Sequence, residues 1–191
     1  MGKRLVKSSP SEFYLEFDLT DLFGQEVTDD VSLGFGQAVI DTILDRTESS
    51  RRSDGGRMKN YSDAYAESLE FIAAGKSQSN PNLELSGSML FDMDIIEATP
   101  TSLRIGFRDD TQRAKAYNHH TGDTVPERPF FDLNQSELNS LIDEFKPIAE
   151  ESPLQLDQDT LFRAFADTAV AEEATRRVSL LDLLSDIDGD L

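Results

Sequence analysis

His119 and His120 are the only histidines in the chain, and with the nearby Asp123 they are its one candidate for metal binding or acid–base chemistry. Adjacent side chains on a helix or strand diverge, and a two-His, one-carboxylate site draws its ligands from wider spacings. The pair therefore predicts one imidazole hydrogen-bonded in a turn and the other exposed, with no metal. Asp186, Asp188 and Asp190 around Gly189 have the look of an opening calcium loop, but such a loop needs about twelve residues and a closing Glu, and only Leu191 follows. They read as a solvated acidic tail. Gly34 and Gly36 precede no phosphate-loop pattern, and Ser86 and Ser88 lack both the glycine frame of a nucleophile elbow and an acid–base partner. With no cysteine there is no thiolate ligand or nucleophile. The sequence thus predicts a protein that is not an enzyme and holds no cofactor or metal.

A different chemistry is written into residues 114–133, which end in ValProGluArgProPhePheAspLeu. Pro126 and Pro129 fix their own φ and bias the residues before them to extended geometry, so Arg128, Phe130 and Phe131 are held in preset directions. Preset Arg and aromatic side chains suit interface anchors, because little side-chain entropy is left to lose on docking. The same residues suit a second arrangement, in which the two Phe close the core beneath a following helix and Arg128 pairs a local carboxylate. Both arrangements hold together if one Phe faces inward.

Alternation of Phe13, Leu15, Phe17 and Leu19 with polar residues predicts a half-buried strand. Thr28, Asp29 and Asp30 offer an N-cap to a helix whose apolar positions Gly36, Val39, Ile40, Ile43 and Leu44 run to about Arg46. Residues 46–59, with Arg46, Arg51, Arg52, Arg57 and Lys59 around Gly55–Gly56, read as a basic, flexible loop. Tyr61, Ala64, Tyr65, Ser68, Leu69 and Ile72 share one face of a single predicted helix ended by Gly75. From Leu83, alternation through Met89, Phe91, Met93 and Ile95 predicts a strand, and ThrProThrSer at 99–102 turns it back into Leu103, Ile105 and Phe107 as an antiparallel hairpin. A short helix over 110–119 ends at Gly122. Asn134 and Glu137 form a capping box, with Leu133 and Leu138 at the staple positions and Leu138, Leu141, Ile142 and Phe145 on the buried face. Beyond Pro153, helices with apolar faces at 157–172 and 178–188 complete the core or dock on a partner. The expected fold is α+β: a small antiparallel sheet packed by several helices, with a helical C-terminal extension. The expected parts are an N-terminal arm and strand (1–30), an α+β core (31–152) and a helical acidic extension (153–191).

The 191 residues, 38% hydrophobic, are enough for one domain with a real core. Met1 to Pro10 lacks the apolar run of a signal peptide, and no segment approaches the roughly 20 apolar residues that span a bilayer, so a soluble protein made in a cytoplasm is expected. A net charge of −19 argues against sequence-specific nucleic-acid binding, which needs clustered cations. It is compatible with a surface that lets a duplex slide past without sticking.

The order of these segments resembles the tail-completion and virion-morphogenesis proteins of tailed bacteriophages. The resemblance runs from about residue 31 to 146, through the basic Gly-containing loop, TyrSerAspAlaTyrAla, AsnLeuGluLeuSerGlySerMetLeu, ArgIleGlyPhe, AlaLysAlaTyrAsnHisHisThrGly and ProGluArgProPhePheAspLeu. Leu85 to Leu90 is similar to the family's Thr-Gly-x-Leu turn, with Ser86 for the commoner Thr. Glu127 to Leu133 is similar to its Ala-Arg-Pro-Phe-Leu loop, with Phe131 where Leu is usual. The resemblance implies a structural, non-enzymatic protein of the virion's head–tail neck, assembled in the host cytoplasm. It implies a ring of self-associated copies, six in number, around the DNA channel, joining connector, adaptor or portal-side proteins to the tail terminator or tail tube. Arg128, Phe130 and Phe131, then Arg51, Arg52 and Arg57 against acidic neighbours, are the expected contacts. An alternative built on charge is an acidic module that occupies a nucleic-acid-binding site of a host protein. That needs carboxylates at phosphate-like intervals, whereas the densest acidic run here is the terminal tail.

Overall fold

A computed structural model describes residues 2–83 and 87–151. The helices expected within 153–191, and the acidic tail, lie outside the described residues. Strands β1 (Lys3–Ser9), β2 (Glu12–Asp18), β3 (Met93–Ala98) and β4 (Ser102–Phe107) form one antiparallel sheet in the order β1-β2-β4-β3. With the seven helices among the described residues, this is the expected α+β fold.

Register explains the two faces. Leu15 lies opposite Ile105 and Phe17 opposite Leu103, while Phe107 lies opposite Met93, so the apolar residues of three strands share one face. Phe13, Leu15, Phe17, Leu103 and Ile105 are fully buried there. β1 is not among the elements the sequence predicts. As an edge strand it puts a single apolar residue, Leu5, on the core face between Lys3 and Lys7, which leaves no alternation to detect. Residues 2–30 are therefore not an arm. They supply half the sheet and, through Phe23 and Val27, part of the same core as residues 31–151.

Helix α1 (Leu19–Phe23) is capped by Asp18, whose carboxylate accepts from the Asp21 amide, and is stopped by Gly24 at φ 77°. Helix α2 (Asp29–Glu48) starts at the expected cap, Thr28, and lays Val31, Phe35, Val39, Ile40 and Ile43 against β3, β4 and the last helix. Gly36 permits that approach: a Cβ there would lie 2.7 Å from Ile95 Cδ1. The single helix expected from Tyr61 to Ile72 is two short ones, α3 (Asp63–Ala66) and α4 (Leu69–Ala73). Ser68 breaks it by taking extended geometry and accepting from the Phe71 amide at 3.3 Å, which restarts the helix with Phe71 buried and Leu69 and Ile72 exposed.

The strand expected from Leu83 also gives way. Leu83 and Gly87 both have positive φ, Ser88–Phe91 forms the short helix α5, and extended structure begins only at Met93. Helix α6 (Asp110–Thr121) is capped by Asp109 and closed by Gly122. Helix α7 (Gln135–Glu151) opens with the expected box: Glu137 N–H donates to Asn134 Oδ1 and Asn134 N–H to Glu137 Oε2, each at 2.9 Å. Pro147 sits inside it, and the helix runs four residues beyond. Among the described residues, no helix is long and apolar enough to cross a membrane.

Gly122 has φ 78°, and a Cβ on it would stand 2.7–3.0 Å from Glu127 atoms that include its backbone. Gly122→Ala is expected to cost about 1–2 kcal/mol in urea unfolding through left-handed strain and this clash; an unchanged midpoint would show that the 122–127 turn is not held.

Candidate functional site

The proline-braced loop goes inward. Arg128 is 2% exposed, and Phe130 and Phe131 are 0% exposed. Phe131 sits 5.0 Å from the rings of both Phe13 and Phe107, between β2 and β4, and Phe130 packs beside it. The expected anchor surface of Arg128, Phe130 and Phe131 is thus replaced by core. Both Phe face inward, and Arg128 meets carbonyls rather than a carboxylate.

A loop drawn into a core brings backbone polar groups that need partners. Arg128 supplies one set: Nε donates to Lys59 O at 2.7 Å, Nη2 to Asn60 O at 2.9 Å and Nη1 to Pro126 O at 3.4 Å, with the guanidinium 4.9 Å from the centre of the Tyr61 ring. Burial draws its pKa below the usual arginine value. Arg46 supplies the other. It lies in α2, at about the point where the helix was expected to end and the basic loop to begin, and its Nη2 donates to Phe130 O and Asp132 O, both at 2.5 Å. Its Nη1 pairs with Glu137, so the capping box of α7 is also the counter-charge of this arginine. Lys3 Nζ adds donations to Asp132 Oδ1 and Leu133 O. Ser53 N–H donates to Pro129 O, and Arg128 N–H to His119 O, each at 2.7 Å.

Residues 50–58 form a tight ordered turn rather than a flexible loop: Arg51 and Arg57 make an antiparallel bridge, and Arg52 N–H donates to Gly56 O. Arg51 and Arg57 are exposed, while Arg52 pairs with Asp54 across the turn. The turn abuts the Arg128 loop through Ser53, but the side-chain bonds of Arg51 and Arg52 stay within the turn, to Gly55 and Asp54.

The histidines also depart from expectation, since neither imidazole is exposed. His120 is buried beneath Phe13 and Phe130, His119 is half-buried, and both Nδ1 atoms are buried without a hydrogen-bond partner. Desolvation comes first among the causes that lower both pKa values to about 4, with Arg128 repelling the proton of His119 and Lys7 that of His120. Both are neutral at pH 7. A cavity of about 310 Å³ opens beside this cluster, bounded by Tyr61, Tyr65, Leu83, His119, Val125 and Arg128. Burial raises the pKa of both tyrosines. Among the described residues, no cluster of three or more His, Asp or Glu is placed to hold a metal. The cavity offers hydrogen-bond donors, one buried cation and aromatic walls, which suit binding.

Two outcomes are expected. Phe131→Ala should lose about 3–5 kcal/mol in chemical denaturation, as for a core phenylalanine; a loss under about 1 kcal/mol would restore the surface reading. Each histidine favours the neutral form in the folded state, so stability is complete above the unfolded pKa of 6.5 and falls as pH drops toward 4, by on the order of 3 kcal/mol per residue. NMR titration of the two imidazoles with midpoints near 6.5 would contradict this. Compared with known proteins, the chain matches no family model, no curated protein and no solved structure.

Proposed function

We propose that this chain is a structural protein of the phage head–tail junction, self-associating as a ring around the DNA channel and joining connector to tail tube. The observation that carries the ring is a ladder of charges on the face of the sheet opposite the core. In register from one edge to the other stand Arg4 on β1, Glu16 on β2, Arg104 on β4 and Glu97 on β3. Arg104 donates to Glu16 at 2.8 Å and lies 3.1 Å from Glu97. The alternation ends on a cation at the β1 edge and on an anion at the β3 edge, and both end residues are exposed.

Symmetry gives this polarity a consequence. Twofold pairing of like edges would set Arg4 and Lys7 against their copies, or Glu97 against its own, since Lys3 and Asp94 are already paired with Asp132 and Arg108. Head-to-tail pairing of β3 with β1 of the next copy instead continues the ladder, with Glu97 beside Arg4. β1 and β3 run in opposite directions, so an operator that preserves strand direction makes this new pair antiparallel. Repeated head-to-tail contacts close into rings when the rotation permits. Copies carrying −19 each would surround a channel that repels phosphate. The resemblance supplies the virion context, six copies and the neighbouring rings. Loop contacts through Arg51, Arg52 and Arg57 stay part of the reading; those through Arg128, Phe130 and Phe131 do not.

A second reading has its own observation. Register shifts between Lys7 and Ser9 and between Ile95 and Glu97 interrupt both edges, and such bulges discourage edge pairing. That reading is a monomer. Solution mass decides: the wild type should form a closed oligomer, Arg4→Glu and Glu97→Arg should each be monomeric, and the double exchange should regain the oligomer. A monomeric wild type at virion-like concentrations, absent from purified particles, would refute the proposal.

A further inference from the structure

We propose that the cavity beside Arg128 binds a small organic carboxylate on an apolar body. A guanidinium has five N–H donors, and Arg128 commits three hydrogen bonds to carbonyls, one of them long at 3.4 Å. Among the described residues no carboxylate pairs with it, although the chain holds 37 Asp and Glu against 18 Lys and Arg. In so acidic a protein a buried arginine whose hydrogen bonds among the described residues all go to carbonyls is a local excess of positive charge. A bound carboxylate would supply the missing counter-ion, and two parallel N–H donors match its two oxygens.

The rest of the cavity fits the rest of such a ligand. Tyr61, Tyr65, Leu83 and Val125 provide apolar and aromatic walls around about 310 Å³, the lower end of the usual size for small-molecule sites. Tyr61 is pinned by its contact with Arg128 and by the Leu83 amide, which donates to its hydroxyl at 3.1 Å, so one wall is already set. His119 lines the same space and adds a flat aromatic ring to its wall. A second cavity of about 330 Å³ shares Tyr65, Leu83 and His119 with the first, giving an apolar body room to extend. The carboxylate could belong to a free acid or to the C-terminus of a peptide. The proposal does not rest on the neck assignment.

Phenylacetate, its neutral amide, and the dipeptide Gly-Phe with a free or amidated terminus are the probes. Two of the four tyrosines line the cavity and there is no tryptophan, so tyrosine fluorescence reports on it directly. Saturable one-site binding of an acid is expected at about 1 mM or tighter, given the size of these ligands. Each amide should bind about tenfold more weakly for loss of the charge-assisted bonds. Whichever acid binds more tightly identifies the source, free acid or chain terminus. Val125→Trp, which fills the rim without touching the arginine's hydrogen bonds, should abolish binding and leave thermal unfolding unchanged. No saturation by either acid below about 10 mM, amides binding as well as acids, or full binding by a folded Val125→Trp would each overturn the proposal.

Discussion

A loop that enters a protein core must bring hydrogen-bond partners for its own backbone, and in this chain arginine side chains provide them. Arg46 gathers the carbonyls of Phe130 and Asp132 from below, and Arg128 reaches from the loop itself to those of Lys59 and Asn60. These bonds are charge-assisted, so each is stronger than a neutral pair, and the site is dry enough that leaving one unmade would be costly. Phe130 and Phe131 then enter the space between sheet and helices that Phe13 and Phe107 leave open. The rest follows from this buckle. Glu137, which caps α7, is set by Arg46; Ser53, within the basic turn, is set by Pro129; and α6 is tied down through His119 O.

With its aromatic residues committed inside, the loop has no aromatic anchor to offer a partner. What the fold leaves outward is the far face of the sheet, where the strand order β1-β2-β4-β3 lines up Arg4, Glu16, Arg104 and Glu97. Exposed ion pairs of this kind contribute little to stability. They do decide which edges are complementary, since like charges across a new strand pair are repulsive and opposite charges attractive. That asymmetry is the physical argument for the proposed ring.

Much of the fold was legible from local chemistry. The capping box at Asn134, the Thr28 cap, the ThrProThrSer reversal and the alternation of β2 and β4 are all decided within a few residues, and each stands where the sequence reading put it. Failures came where the deciding partner is far away. Whether Phe130 and Phe131 face in or out depends on Arg46, more than 80 residues earlier, and nothing at position 46 distinguishes a helix-end arginine from a loop one. β1 was invisible because an edge strand beside a lysine-bearing core face has no periodicity. The helix expected through Ser68 and the strand expected through Gly87 were broken by competing local geometry, a serine cap and positive φ. The cavity had a partial signal in the clustered Tyr61, Tyr65 and His119, but that Arg128 closes it is a tertiary fact.

Hydrogen exchange across a dilution series tests the account most directly, because it separates what is inside the chain from what is covered by another copy. The amides of Arg128 and of residues 130–133 should exchange slowly at every concentration, with Arg128 as protected as the sheet centre, while those of β1 and β3 become slow only where the oligomer forms. A loop that exchanges freely in the dilute protein and gains protection on assembly, with edge strands unaffected, would contradict it and return Arg128, Phe130 and Phe131 to the interface.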